Sequence, residues 1–331
     1  MLRNTLKTLL SAWGPSGSEH NVTAIIKEML NGHVDSMRTD ALGNLIVEKY
    51  GSDDNAKRIM LSAHMDHIGL VVTAIEKEGF LRVANVGGIG MKQSEFRRVV
   101  FENGVEGVLC SEPLENSGTP AIKDLFIDIG AADADEARTM VQVGDMAVYA
   151  PGTFQVGKHR IAAPAMDDRC ACALLVELLL YAENQRNTIV GVFSAQEEVG
   201  LRGATVAAYG VNPDIGLAID VTAWGDTPGT KIPDIKLGAG PAVKIMDRSI
   251  IASPMVRDAL FDAAAAAGVP VQREVLPFGG NDAGAIQHTR AGIPAGTLSI
   301  PCRYVHSACE MIDMRDMDGA LQVLLQFVNV I

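Results

Sequence analysis

The sequence predicts an α/β fold in which helices flank a mixed central sheet, with a small β-rich domain inserted into it. Apolar runs typical of buried strands alternate with helical patterns towards both ends of the chain. Between residues 70 and 164, short Val-rich runs alternate with glycine turns instead. With 331 residues, the chain exceeds the usual size of one core, so we expect two domains. These are a discontinuous domain of residues 1–69 and 165–331, and an insert of residues 70–164.

The first 69 residues carry helical patterns followed by strand patterns. Ser16 and Glu19 have the spacing of a capping box, and apolar residues then recur at helical spacing from Val22 to Leu30. Residues 40–44 are turn formers that separate two strands. We expect a first helix at residues 2–13, a second helix after the capping box, and strands that include residues 45–47 and 59–63.

The insert is predicted to contain short strands and one helix. The helix starts near Asp133 or Asp135 and runs through Met140, because aspartate is a favourable N-cap residue. The strands are expected at residues 70–74, 81–86, 98–101, 105–110, 125–129 and 146–150. An insert of this size is more than a connecting loop needs, so we expect it to pair subunits.

After Pro164 the alternation of strands and helices resumes. Ser253 and Pro254 have the residue types of an N-cap and a first helical position. The expected helices lie at residues 168–183, 204–209, 253–267, 281 or 282 to 289, and 317–328. The expected strands lie at residues 188–195, 215–221, 271–276 and 296–300.

Composition and charge argue against several classes of protein. The formal net charge of −12 and the scattered Lys and Arg residues argue against a nucleic-acid partner. The longest apolar helical stretch, residues 171–182, contains Glu177 and is too short to span a membrane, and the N-terminus lacks a signal-peptide pattern. Five scattered cysteines suit thiols in a reducing compartment, so we expect a cytoplasmic protein.

Glu197 and Glu198 are the first candidates for a functional site. They follow an apolar run, residues 188–193, that predicts a buried strand. Ligands of open α/β sheets bind at the carboxyl ends of strands, so one carboxylate could bind a metal while its neighbour acts as a base. A solvated turn is the alternative, and an isolated pair of glutamates is more often that.

Other residues of metal-ligand type also lie at the ends of predicted elements. They are His64 and Asp66 after one strand, Asp167 at the start of a helix, Asp220 at the end of another strand, and His306 in a loop. Two imidazoles with several carboxylates suit Zn²⁺, Co²⁺ or Mn²⁺. More carboxylates than one ion requires indicate two ions per subunit.

Each of these residues also has a structural explanation. In His64-x-Asp66 both side chains point to the same side of a strand, so Asp66 can accept the ring N–H of His64 and fix its tautomer. Taken alone, however, a His-x-Asp pair more often has a structural or surface explanation. Asp167 and Asp168 could be an N-cap pair, which the local pattern alone favours. The strand-end aspartate could lie in a turn, and the loop histidine could be a surface side chain. Their joint placement at element ends favours a site.

Short motifs occur in order along almost the whole chain. They are Gly14-Pro15-Ser16-Gly17, Asp40-x-x-Gly43-Asn44, His64-Met65-Asp66-x-x-Gly69, Phe126-Ile127-Asp128-Ile129-Gly130, Met166-Asp167-Asp168-Arg169, Gln196-Glu197-Glu198-Val199-Gly200, Asp220-Val221-Thr222, Gly279-Gly280-x-Asp282-Ala283-Gly284 and Arg303-Tyr304-x-His306-Ser307. In these motifs the chain resembles the dinuclear metallo-aminopeptidases, a family that includes glutamyl aminopeptidases and tetrahedral (TET) aminopeptidases. Some members of that family are labelled endoglucanase.

The resemblance implies a zinc-peptidase-like catalytic domain and a PDZ-like dimerisation domain in the insert. It implies metal-dependent removal of N-terminal residues from short peptides. Glu197 would be the general base, which takes a proton from a water bridging two ions and returns it to the leaving amine. Asp66 would support catalysis. The implied metal ligands are His64, Asp167, Glu198, Asp220 and His306, with Asp167 bridging the two ions.

Two further implications of the resemblance concern the backbone and the assembly. The peptide bond between Asp167 and Asp168 would be cis, which lets the bridging carboxylate face both ions. Dimers formed through the insert would assemble into a hollow tetrahedral dodecamer. The sequence departs from many members of the family at two positions: His67 stands where an acidic residue is common, and Asn281 replaces the more usual Thr.

Two other functions are alternatives to an aminopeptidase. A glycoside hydrolase would use a carboxylate pair and aromatic sugar platforms, but the chain has only two Trp and five Tyr. A non-catalytic assembly or peptide-binding homologue would keep the fold while losing ligands or the base. The complete set of candidate ligands argues against that alternative.

Overall fold

A computed structural model describes residues 1–113, 118–183, 185–230 and 234–331, with residues 92 and 93 described by their backbone alone. The helices are α1 (Leu2–Leu10), α2 (His20–Leu30), α3 (Met91–Ser94), α4 (Ala134–Met140), α5 (Met166–Tyr181), α6 (Arg202–Val211), α7 (Pro254–Ala267), α8 (Asp282–Gln287) and α9 (Met314–Val330). The strands of the first half are β1 (Ser36–Thr39), β2 (Leu45–Lys49), β3 (Arg58–His64), β4 (Gly69–Ile75), β5 (Leu81–Val86), β6 (Arg97–Phe101), β7 (Glu106–Ser111), β8 (Leu125–Asp128) and β9 (Met146–Tyr149). The later strands are β10 (Phe154–Val156), β11 (Arg160–Ala163), β12 (Thr188–Ser194), β13 (Ile215–Thr222), β14 (Ala242–Met246), β15 (Gln272–Val275), β16 (Ala295–Arg303) and β17 (Glu310–Asp313).

The largest sheet among the described residues has eleven strands and is mixed, as predicted. Its centre consists of β12, β3, β13 and β16, which are parallel neighbours in that order. Antiparallel strands extend the sheet beyond β12 through β2 and β1, and beyond β16 through β17, β11 and β10. The parallel centre aligns the carboxyl ends of these four strands along one edge of the sheet.

Helices cover both faces of this sheet because the side chains of each central strand alternate between two apolar clusters. Ile59 and Leu61 of β3 belong to the cluster that includes residues of α1, α2, α5, α7 and α9. Met60, between them, belongs to the cluster with α6 and α8 on the opposite face. Among the described residues, no helix combines the length and the apolar composition needed to cross a bilayer.

The insert forms a separate β-rich unit. Its six strands close into a barrel in the order β4-β5-β8-β7-β6-β9, and an apolar core of its own includes Leu81, Leu109 and Ile127. Residues 154–163, which the sequence assigns to the insert, instead form β10 and β11 of the large sheet. The barrel strands end at Tyr149, so the predicted limit at residue 164 lies too far along the chain.

Several local predictions differ from the structure. Ser16 does not form the predicted capping box: α2 starts at His20, and the Ser16 hydroxyl donates to Asp66 Oδ2 at 2.6 Å. The first helix ends at Leu10 rather than at residue 13. Strands β14 and β17 were not predicted, because both are short and lie next to loops without a clear strand pattern. All five cysteines are free thiols, as expected.

Arg169 connects the start of α5 to the N-terminal segment and to the end of β3. Its side chain is completely buried and donates hydrogen bonds to backbone carbonyl oxygens alone among the contacts that the structure describes. The acceptors are Met65 at 2.6 Å, Leu9 at 2.9 Å, and Ala12 and Gly14 at 3.2 Å. This side chain therefore holds the first residues of α5, which include Asp167 and Asp168, against the strand that carries His64.

We expect Arg169→Leu to lower the free energy of unfolding by roughly 3–5 kcal/mol, because it leaves several buried carbonyl groups without a donor. Guanidinium denaturation followed by circular dichroism measures the change. The control is Arg186→Leu, since the Arg186 side chain is 76% exposed and pairs only at the surface with Asp53. The control is expected to change the free energy by less than about 0.5 kcal/mol. Equal stability of the two variants would contradict this role of Arg169.

Candidate metal centre

The ends of three parallel strands bring the predicted site residues together. His64 is the last residue of β3, Asp220 lies near the end of β13, and Glu197 and Glu198 follow β12. These strands are neighbours with β3 in the middle, so the side chains meet at one edge of the sheet. His306 reaches the same place from the loop between β16 and β17.

Asp167 lies between the two histidines. Its Oδ1 is 3.0 Å from His64 Nε2, and its Oδ2 is 3.4 Å from His306 Nε2. The backbone of Asp167 and Asp168 is non-helical, and the peptide bond between them is cis, as the resemblance implies. With one oxygen beside each imidazole, the Asp167 carboxylate does not have the geometry of the N-cap pair that the local pattern favours.

The side chains form two groups whose nitrogen and oxygen atoms suit a borderline-hard divalent cation. In each group the ligand atoms lie within 4.8 Å of one another. One oxygen of Glu198, Oε1, is buried and has no hydrogen-bond partner among the described residues, so a lone pair is free for a cation. The first group is His64, Asp168 and Asp220, and the second is Asp167, Glu198 and His306.

Burial and mutual repulsion perturb the pKa values of these groups. Burial raises the pKa of Glu197 well above its usual range, and Asp220 adds to the rise while His64 opposes it. Burial lowers the pKa of His306, but Asp167 and Glu198 outweigh that effect and raise it to about 12. Both shifts reflect a buried concentration of negative charge, which divalent cations would compensate.

Asp66 supports the site through the backbone. Its carboxylate accepts hydrogen bonds from the backbone N–H of Glu197 at 2.9 Å and of Glu198 at 3.2 Å. The ring Nδ1 of His64 lies 3.0 Å from the Asp66 carbonyl oxygen but 3.6 Å from its carboxylate. The predicted hydrogen bond from His64 is therefore to the main chain of Asp66, and the carboxylate holds the Glu197-Glu198 turn instead.

Glu310 and Asp282 were not singled out from the sequence as site residues. The buried Glu310 carboxylate accepts the backbone N–H of His306 at 2.7 Å and of Asp167 at 2.9 Å. Asp282 Oδ2 accepts the hydroxyls of Ser62 and Ser194, both at 2.6 Å, beneath the ends of β3 and β12. In the sequence, the position of Glu310 four residues after His306, along the same short loop, was the signal that could have indicated its role.

Comparisons with known proteins agree with the metal-site geometry described above. A sequence profile of the M42 glutamyl aminopeptidase family matches residues 43–323. The lysyl aminopeptidase of Pyrococcus furiosus is 34% identical over 334 residues, which cover 96% of this chain and 94% of that protein.

Two solved structures are similar over nearly the full length. Aminopeptidase APDkam598 from the archaeon Desulfurococcus kamchatkensis has a TM-score of 0.95 and 37% identity, covering 99% of this chain and 94% of the other. The Pyrococcus horikoshii TET1 peptidase, which can assemble into a tetrahedron or a large octahedral shell, has a TM-score of 0.89 and 32% identity, covering 100% of both chains. The chain therefore belongs to the M42 glutamyl aminopeptidase family and is a hydrolase that acts as an aminopeptidase.

Proposed function

We propose that this aminopeptidase removes N-terminal residues from short peptides with two divalent metal ions per subunit, Zn²⁺ or Co²⁺, with Mn²⁺ as a further candidate. The position of Asp167 carries the proposal. Its two carboxylate oxygens face the Nε2 atoms of His64 and His306 at 3.0 and 3.4 Å. A carboxylate with one imidazole on each oxygen has the arrangement needed to bridge two ions.

Five side chains would hold the ions. His64 and Asp220 would bind one ion, Glu198 and His306 the other, and Asp167 both. Asp168 Oδ2 also accepts the backbone N–H of His64, so we assign its carboxylate to the support of that histidine. When bound, the ions would lower the pKa of a water molecule and polarise the scissile carbonyl group.

Glu197 would act as the general base. It lies outside both groups of candidate ligands, yet its Oε2 is 3.9 Å from His64 Nε2. Burial raises its pKa, which makes its carboxylate a stronger proton acceptor. It would take a proton from the attacking water and deliver it to the nitrogen of the leaving amine. Asp66, which binds the backbone N–H of Glu197, would keep the carboxylate in place.

The barrel would pair subunits, and we infer that its fold is PDZ-like. Its surface carries large apolar side chains that water does not favour: Phe96 is 76% exposed and Val108 is 39% exposed. The similarity to a peptidase that forms a tetrahedron supports assembly of such dimers into a dodecamer.

Activity assays with and without a chelator test the proposed reaction. We expect release of p-nitroaniline from amino-acid p-nitroanilides, loss of that release after chelation, and its recovery on addition of Zn²⁺ or Co²⁺. A β-glucan tested in parallel is expected to stay intact. Cleavage of the glucan, or peptidase activity that survives complete removal of metal, would refute the metal-dependent peptidase mechanism.

Substitution of Glu197 by glutamine separates proton transfer from metal binding. We expect Glu197→Gln to retain its metal and to lose kcat by about 10² to 10⁴-fold, because it removes the proton acceptor without removing a ligand. The neighbouring Glu198→Gln is the matched control and is expected to bind less metal. Elemental analysis and steady-state kinetics give the two readouts. A fully active Glu197→Gln variant would assign the base to another residue.

Light scattering on the intact protein tests the assembly. We expect a mass of a dimer or of a dodecamer at micromolar concentration, because an exposed apolar surface on the barrel favours pairing. Replacing Phe96 with aspartate is expected to shift the mass downwards. A monomer with and without metal would contradict both the dimer and the dodecamer, whereas a stable dimer would contradict the dodecamer alone.

A further inference from the structure

A cavity of about 560 Å³ opens over the candidate metal centre. The candidate ligands and Glu197 form its floor. Its volume lies within the usual range for small-molecule sites, so it can hold the first residue of a peptide and part of the second. Beyond the floor, the wall includes the apolar side chains Leu201, Val221, Trp224, Leu276, Phe278 and Val305.

Phe278 is the most informative of these apolar side chains. It lies between β15 and α8 and is 49% exposed, although it borders a concave site. Leu276 and Val221, beside the same cavity, are 6% and 9% exposed. An aromatic side chain that is left half uncovered next to buried apolar neighbours gains most from an apolar ligand group.

Lys244 is the one cationic lysine or arginine side chain among the described residues that line this cavity. Its ammonium lies 2.7 Å from Glu274 Oε1 and 3.1 Å from Asp247 Oδ2, with 3% of the side chain exposed. Both carboxylates are completely buried. The single positive charge of Lys244 thus lies beside the negative charges of two carboxylates.

Each carboxylate oxygen that contacts the Lys244 ammonium also accepts a second hydrogen bond. The same oxygen of Glu274 that contacts the ammonium accepts the hydroxyl of Thr222 at 2.7 Å, and Asp247 Oδ2 accepts a hydrogen bond from Asn281 at 2.6 Å. An incoming glutamate side chain would therefore meet a cation that is already neutralised, with a buried negative charge close behind it. An incoming lysine would lose its hydration against an apolar wall.

We propose that this chain prefers peptides whose first residue is uncharged and apolar, of the leucine, methionine or phenylalanine class, over peptides that start with glutamate or lysine. The proposal rests on the aminopeptidase function proposed above for the same cavity. It follows from the apolar wall around Phe278 and from Lys244, whose positive charge is offset by Glu274 and Asp247. Specificity would arise from a wall that fits an apolar group and from the cost of burying an unpaired charge.

Steady-state kinetics on the metal-loaded enzyme test this preference. The substrates are the p-nitroanilides of leucine, methionine, phenylalanine, glutamate and lysine. We expect kcat/KM for the three apolar substrates to exceed that for glutamate and for lysine by about tenfold or more. A higher kcat/KM for glutamate or lysine would overturn the preference and leave the aminopeptidase function intact. Failure to cleave any of the five by enzyme with two bound ions would overturn both.

Two variants test the wall. Phe278→Ala is expected to lower kcat/KM for the leucine substrate by about tenfold, mainly through KM, and to change that for the glutamate substrate less. Phe154→Ala is the matched control, because Phe154 is 50% exposed but does not line the cavity. An unchanged ratio of leucine to glutamate hydrolysis in Phe278→Ala would overturn the role of the wall.

Glu274→Gln tests whether the carboxylates that offset the charge of Lys244 contribute to the preference for apolar residues. The amide retains the shape and can still accept from Lys244, but it removes one of two negative charges beside the ammonium. We expect the ratio of glutamate to leucine hydrolysis to rise by about tenfold relative to the unmodified protein. An unchanged ratio in a folded variant would overturn this role of the network. If the variant does not fold, the substrate panel and Phe278→Ala still decide the proposal.

Discussion

One buried carboxylate, that of Asp167, lies next to two imidazoles, one at each of its oxygens. His64 comes from the end of a central strand and His306 from a loop far along the chain, and each approaches a different oxygen. Asp220 and Glu198 are buried close by, so the negative charge of the cluster is greater than two imidazoles can match. Burial of several carboxylates together is unfavourable without cations. The surrounding residues hold this cluster of charged side chains in place.

Hydrogen bonds between the main chain and three side chains, the carboxylates of Glu310 and Asp66 and the guanidinium of Arg169, provide that support. Glu310 holds the backbone at both Asp167 and His306, so Asp167 and the loop histidine are fixed by the same side chain. Asp66 likewise fixes the turn that carries both glutamates. Arg169 anchors the start of α5 to the N-terminal segment. Such contacts orient ligands before metal binds, which increases affinity and preserves catalytic geometry.

Much of the large sheet could be predicted from the sequence, because β3, β12 and β13 are long apolar runs and their polar ends mark one edge. The strand ends gave three of the five candidate ligands, while a helix start and a loop gave the other two, although residue patterns alone favoured an N-cap role for Asp167 and Asp168. Only the resemblance to a known family pointed to the cis bond and to a bridge.

The remaining features depend on contacts between distant segments. Residues 154–163 have the composition of the insert, but β10 pairs with β11, and β11 pairs with β17, which was itself not predicted. Ser16 has the spacing of a capping residue, yet its hydroxyl binds Asp66. Crystals grown with Zn²⁺ and measured on both sides of the zinc absorption edge give the most direct test of the account. It predicts two anomalous peaks per subunit, one between His64 and Asp220 and one between Glu198 and His306, with Asp167 contacting both. A single peak, or peaks away from Asp167, would contradict it.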